Sequence, residues 1–295
     1  MSREIFIHAG AHRTGSSSFQ MFLSVNAERI RSAGYDLAYP ARDGIPGGRL
    51  RLRLPGPGTG PRRWNELQEF LNEEMQVYST AVDRPLILSE ENIPGRMIHF
   101  YGGKFFPKIR RRLKFLKAAL PGPVGRLVYV VRPYDQLYVS AYRKRAEDNA
   151  VDPFSTIRPV FLKMDAGWPH VISALRDVLQ PKHFTVLTYK SRGSDFELFQ
   201  QLVPGLAAVG SFWKEPGQKL NLSASDTALV ELQRHYAQGR ELQRTEWQDI
   251  IARHSRDRTI QGFATFTPDE GKILRETYQR DLDQLREMAG ITLIE

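Results

Sequence analysis

Residues 3–18 read Arg-Glu-Ile-Phe-Ile-His-Ala-Gly-Ala-His-Arg-Thr-Gly-Ser-Ser-Ser. Ile5, Phe6 and Ile7 form the short apolar run of a buried parallel strand, read over residues 3–9. Residues 10–18 are then a loop of small side chains. After it Phe19, Phe22, Leu23 and Ile30 recur at helical spacing, and Gly34 supplies a terminator. A strand that runs through such a loop into a helix opens an α/β unit. In these sheets ligands sit at the carboxyl ends of the strands, where an anion meets a helix N-terminus.

Working outward, the alternation continues. Residues 35–40 and 84–89 read as strands, and 126–131 and 184–189 as two more. Helical patterns cover 64–81, 104–120, 135–147, 171–179, 196–202, 223–236 and 272–288, with Ser223 or Ser225 as N-cap of the 223–236 helix. Strands alternating with helices imply right-handed crossovers and a mostly parallel sheet. The expected fold is a three-layer α/β sandwich, with 1–295 as one domain and a more helical C-terminal third. Residues 41–63 hold six Gly and four Pro, so no long helix fits there. They read as an insertion loop whose arginines (Arg49, Arg51, Arg53, Arg62 and Arg63) could close as a lid, with 49–54 alternating as a short strand does.

Composition narrows the class. Of 295 residues, 41% are apolar and 25% charged, which excludes wholesale disorder. No apolar run approaches the ~18 residues of a membrane span. The first residues lack the pattern of a secretory signal, so a cytoplasmic, bacterial setting is expected. There is no cysteine, which removes disulfides and thiolate chemistry. The net charge is +9. Residues 1–150 carry 24 Lys+Arg against 14 Asp+Glu, and the remainder 18 against 19. The basic excess belongs to the first half and implies an anionic partner there.

The loop Gly10-Ala-His-Arg-Thr-Gly15-Ser16-Ser17 matches the nucleotide P-loop, G-x-x-x-x-G-K-[ST], at both glycines and the final hydroxyl. Ser16 stands at the lysine position, and the cation lies inside the loop at Arg13. An NTPase lysine neutralises β- and γ-phosphates beside magnesium, and that stabiliser is missing. Arg13, the hydroxyls of Ser16, Ser17 and Ser18, and the first helix amides suit one terminal anionic group. The plain alternative is a tight strand-to-helix turn.

With these residues the chain resembles the sulfotransferases that use 3′-phosphoadenosine 5′-phosphosulfate (PAPS), in their bacterial and glycan-type branch. Their phosphosulfate loop reads K-[ST]-G-[ST]-[ST], and Arg13-Thr14-Gly15-Ser16-Ser17 occupies it. Gly10, His12 and Gln20 fit the bacterial extension, G-x-H-K-T-G-[ST]-[ST]-x-x-Q. Arginine for lysine keeps the charge and adds bidentate reach, but it is larger and does not donate a proton. The family's 3′-phosphate site is a strand-end arginine followed eight residues later by a helix serine. Arg132 and Ser140 have that spacing, a fork and a hydroxyl for one phosphate. The plain alternative is an Arg-Pro strand end and a routine helix serine. Tyr189 stands where cytosolic members place an adenine-contacting tyrosine, or is simply a strand-end aromatic. Asn221-Leu222-Ser223 resembles an N-x-S stretch of bacterial relatives. The resemblance spans about residues 3–200.

The resemblance extends to Leu88-Ser89-Glu90-Glu91-Asn92-Ile93, which resembles an S-S-E-x-[LI] pattern carrying the base. It implies Glu91 as the base, with Glu90 beside it and Arg13 as the third catalytic group. Two adjacent carboxylates repel, which raises one pKa. The alternative is a solvated acidic turn. The implied co-substrate is PAPS, the product adenosine 3′,5′-bisphosphate, with no metal. The acceptor expected is a hydroxyl of a carbohydrate or glycolipid, including an acidic glycan. His8 reads as packing, and His12 as loop structure or a phosphosulfate contact. The basic helix over residues 104–120 is either a guide for an acidic acceptor or one solvated face. The competing readings are a P-loop kinase-like protein, a catalytically inactive PAPS-binding homologue and, least supported, a nucleic-acid binder.

Overall fold

Successive strand residues point to opposite faces of a sheet, and here both faces are apolar. Ile5, Ile7, Leu86, Leu88, Leu127, Tyr129 and Val131 pack in one core cluster. Phe6, Ile87, Val128 and Val130, their neighbours in sequence, pack in another. A sheet buried on both sides needs helices on both sides, and the chain supplies them. The computed structural model describes residues 3–78, 81, 83–208, 212–217, 224–260 and 262–295. Asn221, Leu222 and Ser223 lie outside the described residues.

The elements are β1 (Ile5–His8), α1 (Ser16–Val25), α2 (Ala27–Ser32), β2 (Asp36–Ala38), α3 (Pro61–Val77), β3 (Leu86–Ser89), α4 (Ile109–Ala119), β4 (Val124–Val131) and α5 (Tyr134–Ala146). They continue with α6 (Phe154–Leu162), α7 (Trp168–Leu179), β5 (His183–Thr188), α8 (Asp195–Leu202), α9 (Pro204–Ala207), α10 (Asp226–Ala237), α11 (Arg244–Arg253), α12 (Pro268–Arg286) and β6 (Thr292–Ile294). The strand order is β2-β3-β1-β4-β5-β6, and every pairing is parallel. Ile30 of α2 and the buried residues of α1, α8 and α9 cover one face, where Phe19 and Phe22 are wholly buried. Each such side chain contributes roughly 1.5–3 kcal/mol through burial. Residues of α3 to α7 and α12 cover the other face. The three-layer α/β sandwich with a central parallel sheet is thus present.

The chain winds to one side of β1 for β2 and β3, and to the other for β4, β5 and β6. The carboxyl end of β1 is therefore a switch point, where such sheets open a crevice. The loop 9–15 leaves β1 into that crevice.

Several expectations are corrected. Residues 49–54 form no strand, because the amides of Arg49 and Leu50 both donate to the Tyr39 carbonyl at 3.0 Å. The helix expected from residue 64 starts at Pro61, a residue whose fixed φ suits a first turn. Arg62 and Arg63 therefore lie on α3, paired with Glu66 at 3.3 and 2.8 Å. The helix expected from residue 104 begins at Ile109, after a single 3₁₀ segment at Met97–Gly102. The short strand β6 and helices α6, α9 and α11 are additions to the sequence reading. Ser225 caps α10, accepting from the Ala228 amide at 3.2 Å.

Candidate active site

The loop after β1 closes on itself. The hydroxyls of Thr14 and Ser16 both donate to the Ala11 carbonyl, at 2.6 and 3.0 Å. Gly10 and Gly15 take φ of +100° and +89°, where a side chain is strained. A Cβ on Gly10 would stand 3.0 Å from the Cβ of Glu91, and one on Gly15 would stand 3.0 Å from Nε of Arg192. Glycine thus lets the loop lie against the acidic turn after β3 on one side and Arg192, after β5, on the other. The first α1 amides precede its first turn bond, from the Phe19 amide to the Gly15 carbonyl at 3.0 Å. Such amides, with the helix dipole, favour an anion.

Arg13 sits at φ +61°, costly for a residue with a Cβ. Two bonds hold it. Its Nε donates to Oγ of Ser140 on α5 at 2.8 Å. Its carbonyl accepts from Nη1 of Arg132, just past β4, at 2.6 Å. Arg132 in turn lies 4.5 Å over the ring of Tyr189, past β5. The carbonyl of Arg132 accepts from the Trp168 indole at 2.9 Å, which fixes the β4–α5 corner. Burial pushes the Arg132 guanidinium down, with Tyr189 opposing and Arg13 reinforcing the effect. Its Nε is buried and, among the described residues, has no hydrogen-bond partner.

A cavity of about 420 Å³ opens over this corner. His12, Arg13, Gly15, Ser16, Ser17, Ser18, Glu91, Arg132, Ser140 and Tyr189 line it, together with Arg42, Met97 and Lys144. Residues drawn from four strand ends are thereby brought to one space. Thr14 is not among them; its side chain is buried, with the hydroxyl on the Ala11 carbonyl. Ser18 faces the cavity and donates to Asp195 at 2.5 Å. Asp195 also takes the Arg192 guanidinium, whose Nη2 reaches the Gly15 carbonyl at 3.2 Å.

The two glutamates divide. The Glu90 side chain is 4% exposed and does not line the cavity, whereas Glu91 is 13% exposed and does. Glu90 accepts from the Asn92 amide at 2.8 Å and its side chain at 3.0 Å, and pairs with Arg42. Burial, more than the neighbouring Glu91, raises the Glu90 pKa, with Arg42 opposing. The same Arg42 reaches Glu91 at 3.1 Å, and Gln20 of α1 donates to the other Glu91 oxygen at 3.1 Å. One helix therefore carries the loop's serines at its start and a ligand of Glu91 one turn later.

His12 is buried. Its Nε2 donates to the Gly95 carbonyl at 2.9 Å, and its ring stacks on Phe106. Burial drives its pKa down to about 4, against the Gly95 bond and Glu90, so it is neutral at pH 7. His8 is likewise buried and neutral, pushed down to about 3 by burial and then Arg192. It lies 2.9 Å from the Ser89 hydroxyl and against the edge of Phe19, a packing role.

The basic segment keeps Lys104, Lys108, Arg110, Lys114 and Lys117 exposed, but one of its arginines turns inward. Arg112 is buried and donates to the carbonyls of Pro55, Leu54, Asn92 and Ile93 at 2.8, 3.2, 2.7 and 3.4 Å. It fastens the Gly/Pro loop to the acidic turn. Arg110 pairs with Asp177 at 2.8 Å, Lys104 with Asp165 at 3.2 Å, and Arg111 covers Trp64 at 4.5 Å. The loop arginines are also placed elsewhere. Arg51 pairs with Glu74 at 3.3 Å, and Arg53 lies 4.6 Å over Phe70. None of the five expected lid arginines lines the cavity. Arg42, also within residues 41–63, does line the cavity, as does Lys144, and Arg192 stands behind it. Arg42 and Lys144 came from a loop and a helix end with no motif, while Arg192 follows Tyr189 by three residues.

No protein-family model matches this chain, and no curated relative does. Among solved structures, a sulfotransferase from Alicyclobacillus acidocaldarius is similar, at 12% sequence identity and a TM-score of 0.39, over 84% of this chain and 99% of that one. Among the described residues no helix is long and apolar enough to cross a membrane.

Proposed function

We propose that this chain is a PAPS-dependent sulfotransferase of the bacterial, glycan-type kind, acting on a carbohydrate or glycolipid hydroxyl. The observation that supports it is the hydrogen bond from Arg13 to Ser140 within one cavity that Arg132 and Glu91 also line. Two motifs 127 residues apart thus meet, each carrying groups suited to an anion. The residues fit such a donor. Arg132 has a buried nitrogen without a partner among the described residues, and the positive-φ glycines let the loop lie against Glu91 and Arg192 at the cavity.

In this reading Arg13 and the backbone amides of Ser16, Ser17 and Ser18 at the start of α1 hold the phosphosulfate, with His12 as the neutral wall of the loop. Arg132 and Ser140 hold the 3′-phosphate, and Tyr189 offers a ring for the adenine. The donor supplies the sulfuryl group. Glu91 takes the acceptor's proton as its oxygen bonds to sulfur. The bond from sulfur to the 5′-phosphate oxygen breaks, and its electron pair leaves with adenosine 3′,5′-bisphosphate. Arg13 stabilises that departing phosphate by charge alone. A phosphate anion is a good leaving group and needs no proton, so arginine serves where relatives carry lysine. Gln20 and Arg42 hold the two oxygens of Glu91, and Glu90 anchors Arg42 from below. The test is transfer of label from sulfur-labelled PAPS to a panel of glycans and glycolipids. Binding of PAPS without transfer to any acceptor would support the inactive-homologue reading instead.

A further inference from the structure

Four cations line the cavity among the described residues, and three already have a role: Arg13, Arg132, and Arg42 with its two glutamates. The fourth is Lys144. A phosphate monoester is close to a dianion at pH 7. At the 3′-phosphate seat Arg132 is the assigned cation and Ser140 supplies no charge, while Arg13, though bonded to Ser140 at 2.8 Å, is assigned to the phosphosulfate, so a further cation there has a dianion to meet.

Lys144 lies four residues beyond Ser140 on α5, the spacing that puts two side chains on one helix face. Its side chain is 34% exposed, so its ammonium is reachable, and it is also held. Nζ donates to Oε2 of Glu147 at 2.6 Å and lies 5.6 Å from the ring centre of Trp247 on α11. An ammonium has three N–H donors, and Glu147 accepts one of them. Trp247 packs on the small cluster built from Leu229, Leu232 and Ile250 of α10 and α11. An indole of the C-terminal helices thereby lies beside Lys144, a residue of the cavity wall.

We propose that Lys144 is the third ligand of the 3′-phosphate, steadied by Glu147 and Trp247, and that it sets the preference for a 3′-phosphorylated nucleotide. This rests on the sulfotransferase reading and extends it to a residue outside the motifs. The experiment is calorimetric titration of the full chain with adenosine 3′,5′-bisphosphate and with adenosine 5′-monophosphate. The wild-type chain is expected to prefer the bisphosphate. Lys144→Ala should lose on the order of tenfold in bisphosphate affinity, the effect of one charged contact, with monophosphate affinity nearly unchanged. Lys144→Arg should retain the preference, and Trp247→Leu should weaken it. Lys144→Gln serves as a second neutral variant that keeps the aliphatic stem, and thermal melts without ligand check that each variant folds. Equal losses for both nucleotides, or no loss in either neutral variant, would overturn the assignment of Lys144. A wild-type chain indifferent to the 3′-phosphate would overturn the donor reading itself and this inference with it.

Discussion

Nε of Arg13 donates to Oγ of Ser140 at 2.8 Å, so the loop after β1 and the helix after β4 are one unit. Ser140→Ala removes that bond and a hydroxyl of the cavity. A hydrogen bond to a charged group contributes about 2 kcal/mol, so bisphosphate affinity should fall by about that amount. Calorimetry checks it. An unchanged affinity would mean that Ser140 supports neither Arg13 nor the nucleotide.

Arg132→Ala should cost more, because Arg132 both lines the cavity and holds the Arg13 carbonyl. Loss of a buried charged pair costs roughly 2–5 kcal/mol of bisphosphate affinity. Arg132→Lys, which cannot make the fork, should recover only part of it. Affinity equal to wild type in the alanine variant would remove Arg132 from the 3′-site.

The two adjacent glutamates should separate by phenotype. Glu91→Gln is expected to leave nucleotide binding intact and lower turnover by roughly 10²–10⁴, the contribution of a positioned base. Glu90→Gln should act on the fold instead, because its carboxylate is buried against Arg42 and the Asn92 amide. Chemical denaturation should show a loss of about 1–3 kcal/mol, the cost of mismatching buried hydrogen-bonding groups. A Glu91→Gln variant with full turnover would move the proton transfer to another group.

Arg112→Met should destabilise the chain and loosen the 41–63 loop. Four carbonyls accept from this guanidinium, whose pKa burial lowers to about 10. Leaving buried acceptors unmatched costs about 1–3 kcal/mol each at most. Denaturant melts and proteolysis within residues 41–63 report the two effects. Unchanged stability would show that water replaces the guanidinium without loss.

Acid should weaken the fold through His8 and His12. Both are buried, with pKa values lowered from 6.5 to about 3 and about 4. The unfolded chain takes up protons at these histidines near pH 6.5, while the folded chain resists until far lower. Stability is therefore full above pH 6.5 and falls as the pH drops towards 4. His8→Asn removes one of these protons from the balance, so its stability should decline less steeply between pH 7 and 5. Equal slopes would contradict the burial of a neutral His8.

The sequence made the carboxyl end of β1 legible because its signals are local: an apolar run, small residues in the turn, then a helical period. The same holds for Arg132 and Ser140, placed by one strand end and one helix. Arg112 was not legible, since its partners are carbonyls at 54, 55, 92 and 93 and nothing in a run of basic residues says which one turns inward. The role of Arg42 is hidden in the sequence for the same reason, since it depends on where the loop docks against Glu90 and Glu91. The 49–54 alternation misled because its amides are taken by Tyr39 and Glu74 rather than by a neighbouring strand.

The most direct test of the account is a side-by-side titration with adenosine 3′,5′-bisphosphate and with ATP–Mg²⁺. A cavity with Arg13 and Ser16 in place of a P-loop lysine should bind the bisphosphate tightly and ATP–Mg²⁺ weakly or not at all. Tight ATP–Mg²⁺ binding with no affinity for the bisphosphate would contradict it and return the chain to the kinase-like class.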